Sequence, residues 1–362
     1  MSHISELKLI LSQQLNWHKS RIDFFANALL SLLICRTVNL QHLAVTMQSK
    51  ATIDSRYRRV RRFFSNFVID YDDIARWLFN LFILPCDKVY IAIDRTNWFF
   101  GKAKINVFML SICYEGIAIP MYWKLLRKAG NSNAEEQIAL VDRFIKTFGT
   151  NQIKALLADR EFPNAHFITW LNEQKVPFYM RIKEDTIARI NGKKYKSCKQ
   201  LFAHIKPYQH TVFNMSLTLF HQRLFVAASK NERGELMIVV TNSDPNIAIS
   251  SYLRRWEVEC LFQALKGRGF KFQETHITKP DRIERLIVLM SVALAWAHKI
   301  GEWRSKRKPI LLKNKIIQKR PQFSYFRYGL DFITDKLTSF PTSIKKFIYL
   351  LTTQLSSSGG VL

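Results

Sequence analysis

Between Lys88 and Ile182 the chain changes texture in an order that few folds accommodate. VYIAID, ending at Asp94, is a short β-branched run; Ile105–Cys113 is a second and Gly116–Leu126 a third, with Tyr114-Glu115-Gly116 as a turn. An amphipathic helix follows in NSNAEEQIALVDRFIKTFG. Asn133 stands as its N-cap with Glu136 three residues on, Ile138, Leu140, Val141, Phe144 and Ile145 give an apolar stripe, and Gly149 stops it. IKALLAD then reads as a buried strand, Pro163–Gln174 as a helix and Val176–Ile182 as another strand. Three strands that can form a meander, then helix, strand, helix, strand, make an α/β domain with a mixed sheet.

The flanks have other textures. Residues 1–84 read as helical, with Leu7, Ile10, Leu11 and Leu15 at helical spacing and an apolar run from Phe24 to Cys35. They hold the densest basic cluster, SRYRRVRRFF, in which Arg56, Arg58, Arg59, Arg61 and Arg62 alternate with Tyr57, Phe63 and Phe64. As a helix this puts arginines on more than one face, which exceeds a solvated stripe and suits contact with a DNA backbone. Residues 185–245 read as all-β: Asn191-Gly192 is a hairpin turn, and Leu224–Ala228 faces Leu236–Val240 across Asn231-Glu232-Arg233-Gly234. Helical texture resumes at Ala248 and continues through Asp281–Trp303, before a lysine- and arginine-rich stretch from Arg304 to Arg320 that suits a second backbone contact or a flexible connector.

Net charge selects the partner class. With +27 over 362 residues and a pI near 10.0, a polyanion is expected, nucleic acid first and an anionic membrane second. The apolar runs Ala26–Cys35 and Leu286–Ala297 are shorter than the ~20 residues a membrane span needs and read as buried helices, so no membrane is expected. The start, MSHISELKLILSQQ, lacks a basic region and a small-residue cleavage site. Five scattered cysteines without a C-x-x-C pair suggest neither a disulfide framework nor a zinc knuckle, and fit a reducing cytoplasm.

The chemistry concentrates in YLRRWEVECLFQALK, Tyr252–Lys266. Read as one helix, Val258, Leu261, Phe262 and Leu265 form a core stripe, while Tyr252, Arg255, Glu259 and Lys266 share a sector of roughly 60°. Glu257 lies on another side. A carboxylate among a phenol, a guanidinium and an ammonium can hold a divalent cation while the basic groups hold phosphates. A two-metal phosphodiester site needs further carboxylates from strand ends. Asp94 ends the first strand, and Asp159, 65 positions on, ends a later strand able to lie parallel beside it. Glu161 competes with Asp159 for that role, and Asp87 more weakly with Asp94. Read singly, each aspartate is better explained as a turn or cap residue; it is the combination with the helix face that points to a site.

The spacing Tyr252-x2-Arg255-x3-Glu259-x6-Lys266 resembles the Y-R-E-K signature of the DDE transposases of bacterial insertion sequences, in particular insertion-sequence family four. IAIDRTNW around Asp94, ADREF around Asp159, KGRGFKFQETHI from Lys266 and FRYGLD near the C-terminus are similar to that family's stretches, so the resemblance runs from about Tyr57 to Asp331. It implies an RNase H-like mixed-sheet catalytic domain over 85–184, an all-β insertion over 185–245 and a helical completion over 246–303. A helical DNA-binding domain over 1–84 would precede these and a basic region over 304–362 would follow. Asp94, Asp159 and Glu259 would be the catalytic residues and the ligands of two Mg²⁺ or Mn²⁺ ions. Tyr252, Arg255 and Lys266 would grip phosphates, along with the arginines at 56, 58, 59, 61 and 62. The implied partners are double-stranded DNA, as terminal inverted repeats and target, and a second copy in a synaptic homodimer, at the bacterial nucleoid in the cytoplasm.

Relatives that pass through a DNA hairpin can hold a flipped base on a tryptophan of the β insertion, and this chain has none between Asp185 and Ser251. Trp256, beside the active face, is the base-stacking candidate, with Phe220, Phe225 and Tyr208 behind it. Two rival readings are a nuclease of the same fold that does not rejoin DNA, and a DNA-binding repressor that has lost the chemistry.

Overall fold

In the computed structural model, which describes residues 4–190, 193–314 and 319–339, the chain divides into two compact units. One comprises Met1–Pro85, Trp98–Ile105 and Cys260–Leu362, the other Cys86–Asn97 and Asn106–Glu259. The 246–303 stretch contributes to both, divided after Glu259.

In the first unit, α1 (Ile4–Gln14), α2 (Lys19–Cys35), α3 (Leu40–Thr46), α4 (Ile53–Asn66) and α5 (Tyr71–Phe82) follow in order, and the last four start where a polar side chain satisfies orphan amides of the first turn. Asn39 caps α3, Thr52 caps α4 and Asp70 caps α5. Trp17, Phe24, Phe25, Phe63 and Phe67 pack ring against ring, with the Phe24 and Phe63 centroids 4.4 Å apart.

The second unit is a mixed α/β layer on a large sheet. It is built from β1 (Val89–Phe100), β2 (Ala103–Tyr114), β3 (Ile117–Leu125), α6 (Ala134–Phe148), β4 (Ile153–Ala158), α7 (Ala165–Glu173), β5 (Phe178–Ile182), β6 (Ile187–Ile190), β7 (Lys193–Ser197), α8 (Cys198–Leu201), β8 (His210–Val212), β9 (Leu217–Leu219), β10 (Gln222–Lys230), β11 (Leu236–Thr241), α9 (Ala248–Leu253) and α10 (Trp256–Leu265). The tip of the β1–β2 hairpin and the second half of α10 are counted with the first unit. Strand order is β3-β2-β1-β4-β5-β11-β10-β9-β6-β7, with β8 beside β10. β4 runs parallel to β1, Ile93 opposite Ala158, and parallel to β5, as the βαβ order requires. The capping box of Asn133 and Glu136 starts α6, and Gly149, at φ +85°, ends it.

One expectation changes here. Residues 185–245 are not purely β, since Ser197 and Gln200 form a capping box that starts the single turn of α8. These strands join the main sheet: β11 pairs antiparallel with β5, Ile238 opposite Ile182, and extends it. Unpaired donors along β5 are thereby satisfied without a second layer. The Asn191-Gly192 turn lies outside the described residues, although β6 and β7 pair on either side of it.

The first unit closes with α11 (Pro280–Arg307), β12 (Leu312–Asn314), β13 (Lys319–Pro321) and α12 (Tyr325–Ser339). Every residue from Leu286 to His298 on α11 is buried, which is why that apolar run lacks periodicity. α12 lies against it through small residues: a Cβ on Gly301 would collide with the Tyr325 carbonyl, and one on Gly329 with the Ala297 carbonyl. The described part of the C-terminal region thus includes a packed helix. In FRYGLD, Gly329 allows the helix contact and Asp331 accepts from Arg36 at 2.7 Å. Among the described residues no single helix is long and apolar enough to cross a membrane.

Candidate active site

Asp94 lies on β1 one residue past its last partner on β4, and Asp159 lies one residue past the end of β4. Their neighbours' amides fix both carboxylates locally: Arg95 N–H donates to Asp94 Oδ1 at 2.7 Å and Arg160 N–H to Asp159 Oδ1 at 2.8 Å. Asp87, the weaker competitor for the first position, is exposed in the approach to the strand.

Tyr252 and Arg255 do not sit on one continuous helix with Glu259, as the sequence reading has it. α9 ends at Leu253 and α10 starts at Trp256. Between them the amides of Arg254, Arg255, Glu257 and Val258 each bond the carbonyl three residues back, at 2.9–3.2 Å. This is a 3₁₀ step, which eclipses positions three apart and brings Arg255 over Tyr252, its guanidinium carbon 5.8 Å from the ring centroid. The step also sends adjacent arginines apart. Arg254 donates to Glu257 at 3.0 Å and to the Cys113 carbonyl at 3.3 Å, so Glu257 is engaged away from the site. Arg255 turns to the acids.

Arg255 Nη1 donates to Asp94 Oδ2 at 2.6 Å and to Glu259 Oε1 at 3.3 Å, while the Tyr252 hydroxyl donates to Asp159 Oδ1 at 3.0 Å. The second unit thus brings Asp94, Asp159, Glu259, Tyr252 and Arg255 together. Burial pushes the Asp94 carboxyl up to about 6 despite Arg255, and the charges of Glu259 and Asp159 add to the rise. Burial also pushes the Tyr252 phenol up to about 12, with Asp159 adding to it, so Tyr252 is a hydrogen-bond donor at neutral pH. Burial works against the charge on Arg255, but Asp94, Tyr252 and Asp159 outweigh it and raise its pKa.

The three carboxylates, two of which raise the charge cost of Asp94, are hard oxygen donors suited to Mg²⁺ or Mn²⁺. Among the described residues no three acidic, histidine or cysteine side chains already converge as a ligand group. Arg255 stands between Asp94 and Glu259 and supplies the cationic charge they require. The donor set fits a divalent cation once that guanidinium withdraws.

Glu161 is not a fourth acid of this cluster. Its carboxylate receives a two-pronged bond from Arg95, Nε to Oε1 at 2.8 Å and Nη2 to Oε2 at 2.8 Å. Arg95 and its role escaped the sequence reading. Its signal was present, an arginine one residue past the first strand-end aspartate and a glutamate two past the second.

The remaining predicted residues lie elsewhere. Lys266 belongs to the first unit, just past α10, with its ammonium 5.6 Å from the Trp98 ring centroid. Trp256, the first residue of α10, is 63% exposed, as a stacking platform must be; Tyr208 is exposed too, while Phe225 is at the margin. Of the arginines on α4, Arg56, Arg58, Arg59 and Arg62 line a cleft of about 720 Å³ in the first unit, and Lys8 and Arg21 join them from α1 and α2. Arg61 does not line it and lies over Tyr57 at 5.8 Å. Arg56 is also a strut: its Nη1 donates to the carbonyls of Val45, at 3.1 Å, and Met47.

A family model described as the transposase DDE domain matches residues 85–296. Comparison with curated proteins gives no match. Among solved structures, the chain is similar to the piggyBac transposase in the cryo-EM structure of its synaptic complex with hairpin DNA. The likeness covers 99% of this chain and 83% of that one, at a TM-score of 0.46 and 10% identity.

Proposed function

The chain belongs to the transposase DDE-domain family, and on that premise we propose that it is a cut-and-paste transposase of an insertion sequence, of the family-four, Y-R-E-K type. The observation that carries the reading is the gathering of Asp94, Asp159 and Glu259 around Arg255, with Tyr252 on Asp159, inside the matched segment.

In this reading the second unit is an RNase H-like catalytic core and the helical first unit a DNA-binding part. Asp94, Asp159 and Glu259 would hold two divalent cations, Mg²⁺ or Mn²⁺, which when bound supply an activated water and neutralise charge on the phosphodiester. Arg255, released from Asp94 and Glu259, is placed to grip a non-bridging phosphate oxygen, and the Tyr252 hydroxyl to donate to another. Water attacks the phosphodiester at the element's end and the 3′-oxygen leaves as a hydroxyl. That hydroxyl then attacks a phosphodiester of the opposite strand or of the target, forming a new P–O ester bond while the attacked strand's own 3′-oxygen leaves as a hydroxyl. Lys266 and the cleft under α4 add phosphate contacts, and Trp256 offers a surface for an unstacked base. The partners would be double-stranded DNA, as terminal repeats and target, and a second copy of the chain in a synaptic dimer, at the bacterial nucleoid.

The test is cleavage of a labelled duplex carrying the DNA end that flanks this gene, with Mg²⁺ or with EDTA, by wild type and Glu259→Gln. Cuts at the element boundary that need metal and vanish in the variant are expected, with joined products on added target DNA. Tight binding without a cut in Mg²⁺, or in Mn²⁺ put in its place, would overturn the reading in favour of a repressor.

A further inference from the structure

The β1–β4 ladder ends at Ile93 and Ala158, one residue before each aspartate. Beyond that point no backbone pairing between these strands holds the two carboxylates at a fixed separation. What ties the strand ends together is a side-chain bond, the fork from Arg95 to Glu161. We propose that Arg95 and Glu161 are positioning residues that set the separation of Asp94 and Asp159, and with it the affinity of the acids for divalent cations. This rests on the reading of those acids as metal holders.

The guanidinium of Arg95 has five N–H donors, and five acceptors surround it. Besides the two Glu161 oxygens, it donates to the Gly130 carbonyl at 2.9 Å, to Asn131 Oδ1 at 2.7 Å and to Asn106 Oδ1 at 3.3 Å. Its side chain is 11% exposed. A guanidinium so committed cannot also grip a phosphate, which is the other use for an arginine beside an active-site aspartate.

The same groups hold the loop before α6. Asn106, 2% exposed, donates to the Lys128 and Gly130 carbonyls at 3.0 and 3.1 Å. Gln137, 1% exposed, donates to Ser132 Oγ at 3.2 Å and accepts from Asn164 at 2.9 Å, and Asn164 caps α7. The turn after Asp159 is therefore fastened twice, at Glu161 to β1 and at Asn164 to α6. A single exposed ion pair would be worth little, whereas a bidentate pair with every donor matched specifies geometry. Lysine at position 95 would keep the charge and lose the fork.

The experiment is a titration of the full-length, DNA-free protein with Mn²⁺ by calorimetry, with thermal melting of each metal-free variant and DNA affinity alongside. The variants are Glu161→Gln, Arg95→Gln, Arg95→Lys and Asp94→Asn. Glu161→Gln and Arg95→Gln are expected to weaken Mn²⁺ binding tenfold or more with DNA affinity unchanged, and Arg95→Lys to do no better than Arg95→Gln. A folded Glu161→Gln protein that binds Mn²⁺ like wild type would overturn the proposal. So would a Glu161→Gln protein that fails to fold, since the pair would then be a folding strut. If wild type binds Mn²⁺ no better than Asp94→Asn, the metal reading of the acids falls, and this inference with it.

Discussion

The carboxylate cluster of the second unit and the basic cleft of the first are both rich in arginine, and they use it in opposite ways. Around the carboxylates each guanidinium is committed: Arg255 to Asp94 and Glu259, Arg254 to Glu257, Arg95 to Glu161 and a loop. The cleft is lined by Lys8, Arg21, Arg56, Arg58, Arg59 and Arg62 with one acid, Asp23, which pairs with Lys8 at 2.8 Å, and among the described residues only the Arg56 and Arg59 side chains of this set donate to backbone carbonyls. The first arrangement depends on direction, and losing one group disorients the others. The second depends on the number of charges, and its contributions add. One region should therefore fail all at once and the other by degrees.

The largest effect expected is at the acids. Asp94→Asn, Asp159→Asn and Glu259→Gln should each lower cleavage by about 10³-fold or more while DNA affinity stays within about threefold. Glu257→Gln, its neighbour on α10 but bonded to Arg254, should retain cleavage within about tenfold. A gel assay that resolves cutting from binding checks all four. Full activity in any of the first three removes that residue from the site.

The next effect is on stability and runs with pH. In the metal-free protein the Asp94 carboxyl is raised from 3.8 to about 6, so the folded state binds this proton more tightly than the unfolded chain. The group's contribution is therefore most favourable below pH 4, declines as pH rises through 4 to 6, and stays low above that. A rise of that size corresponds to about 3 kcal/mol. Asp94→Asn should accordingly be more stable than metal-free wild type at pH 8, by an amount on the order of 3 kcal/mol, and no more stable below pH 4. Adding Mg²⁺ or Mn²⁺ at pH 8 should raise the melting temperature of wild type and leave the variant unmoved. Equal stability of the two proteins at pH 8 would show that Asp94 is not strained by burial.

The same contrast governs what could be read from the sequence. The strand and helix order around Asp94 and Asp159 was legible because local signals agree there: β-branched runs, the Asn133–Glu136 capping box, and Gly149 at a positive φ. The parallel neighbours β1 and β4 follow from that order. The tightened step at Arg254–Arg255 was not legible, because YLRRWEVE has good helix formers throughout. The break accompanies bonds made far along the chain, to Cys113 and to Asp94. The docking of β11 on β5 was hidden for a similar reason, since strand pairing is a tertiary fact. Basicity showed that α4 carries a cationic surface, but not which arginines face the cleft or that Lys8 and Arg21 complete it.

A smaller effect separates two arginines of α4. Arg56 bonds the carbonyls of Val45 and Met47, which lie at the C-terminal end of α3, where carbonyls have no helical amide to accept from. Arg56→Ala should cost about 1–3 kcal/mol of stability, measured by denaturant melting, because two carbonyls lose a charged donor. Arg58→Ala should leave the melt nearly unchanged. Equal melts for both variants would mean that Arg56 is only another surface charge.

The smallest effects are expected in the cleft, and they distinguish counting from direction most cleanly. If Arg58, Arg59 and Arg62 each neutralise one phosphate, removing any one should reduce the slope of log K against log salt by about 1, and removing two by about 2. Arg61→Ala is the internal control, since Arg61 lies over Tyr57 outside the cleft and should change the slope by clearly less. Binding is measured on one duplex at several salt concentrations, with the acids intact so that the active site does not vary. Additive slopes from Arg58, Arg59 and Arg62 with a near-silent Arg61 identify the cleft as the backbone seat. Equal slopes from all four would spread the contact over the whole helix surface, and the cleft would lose its distinction from the rest of a chain carrying +27.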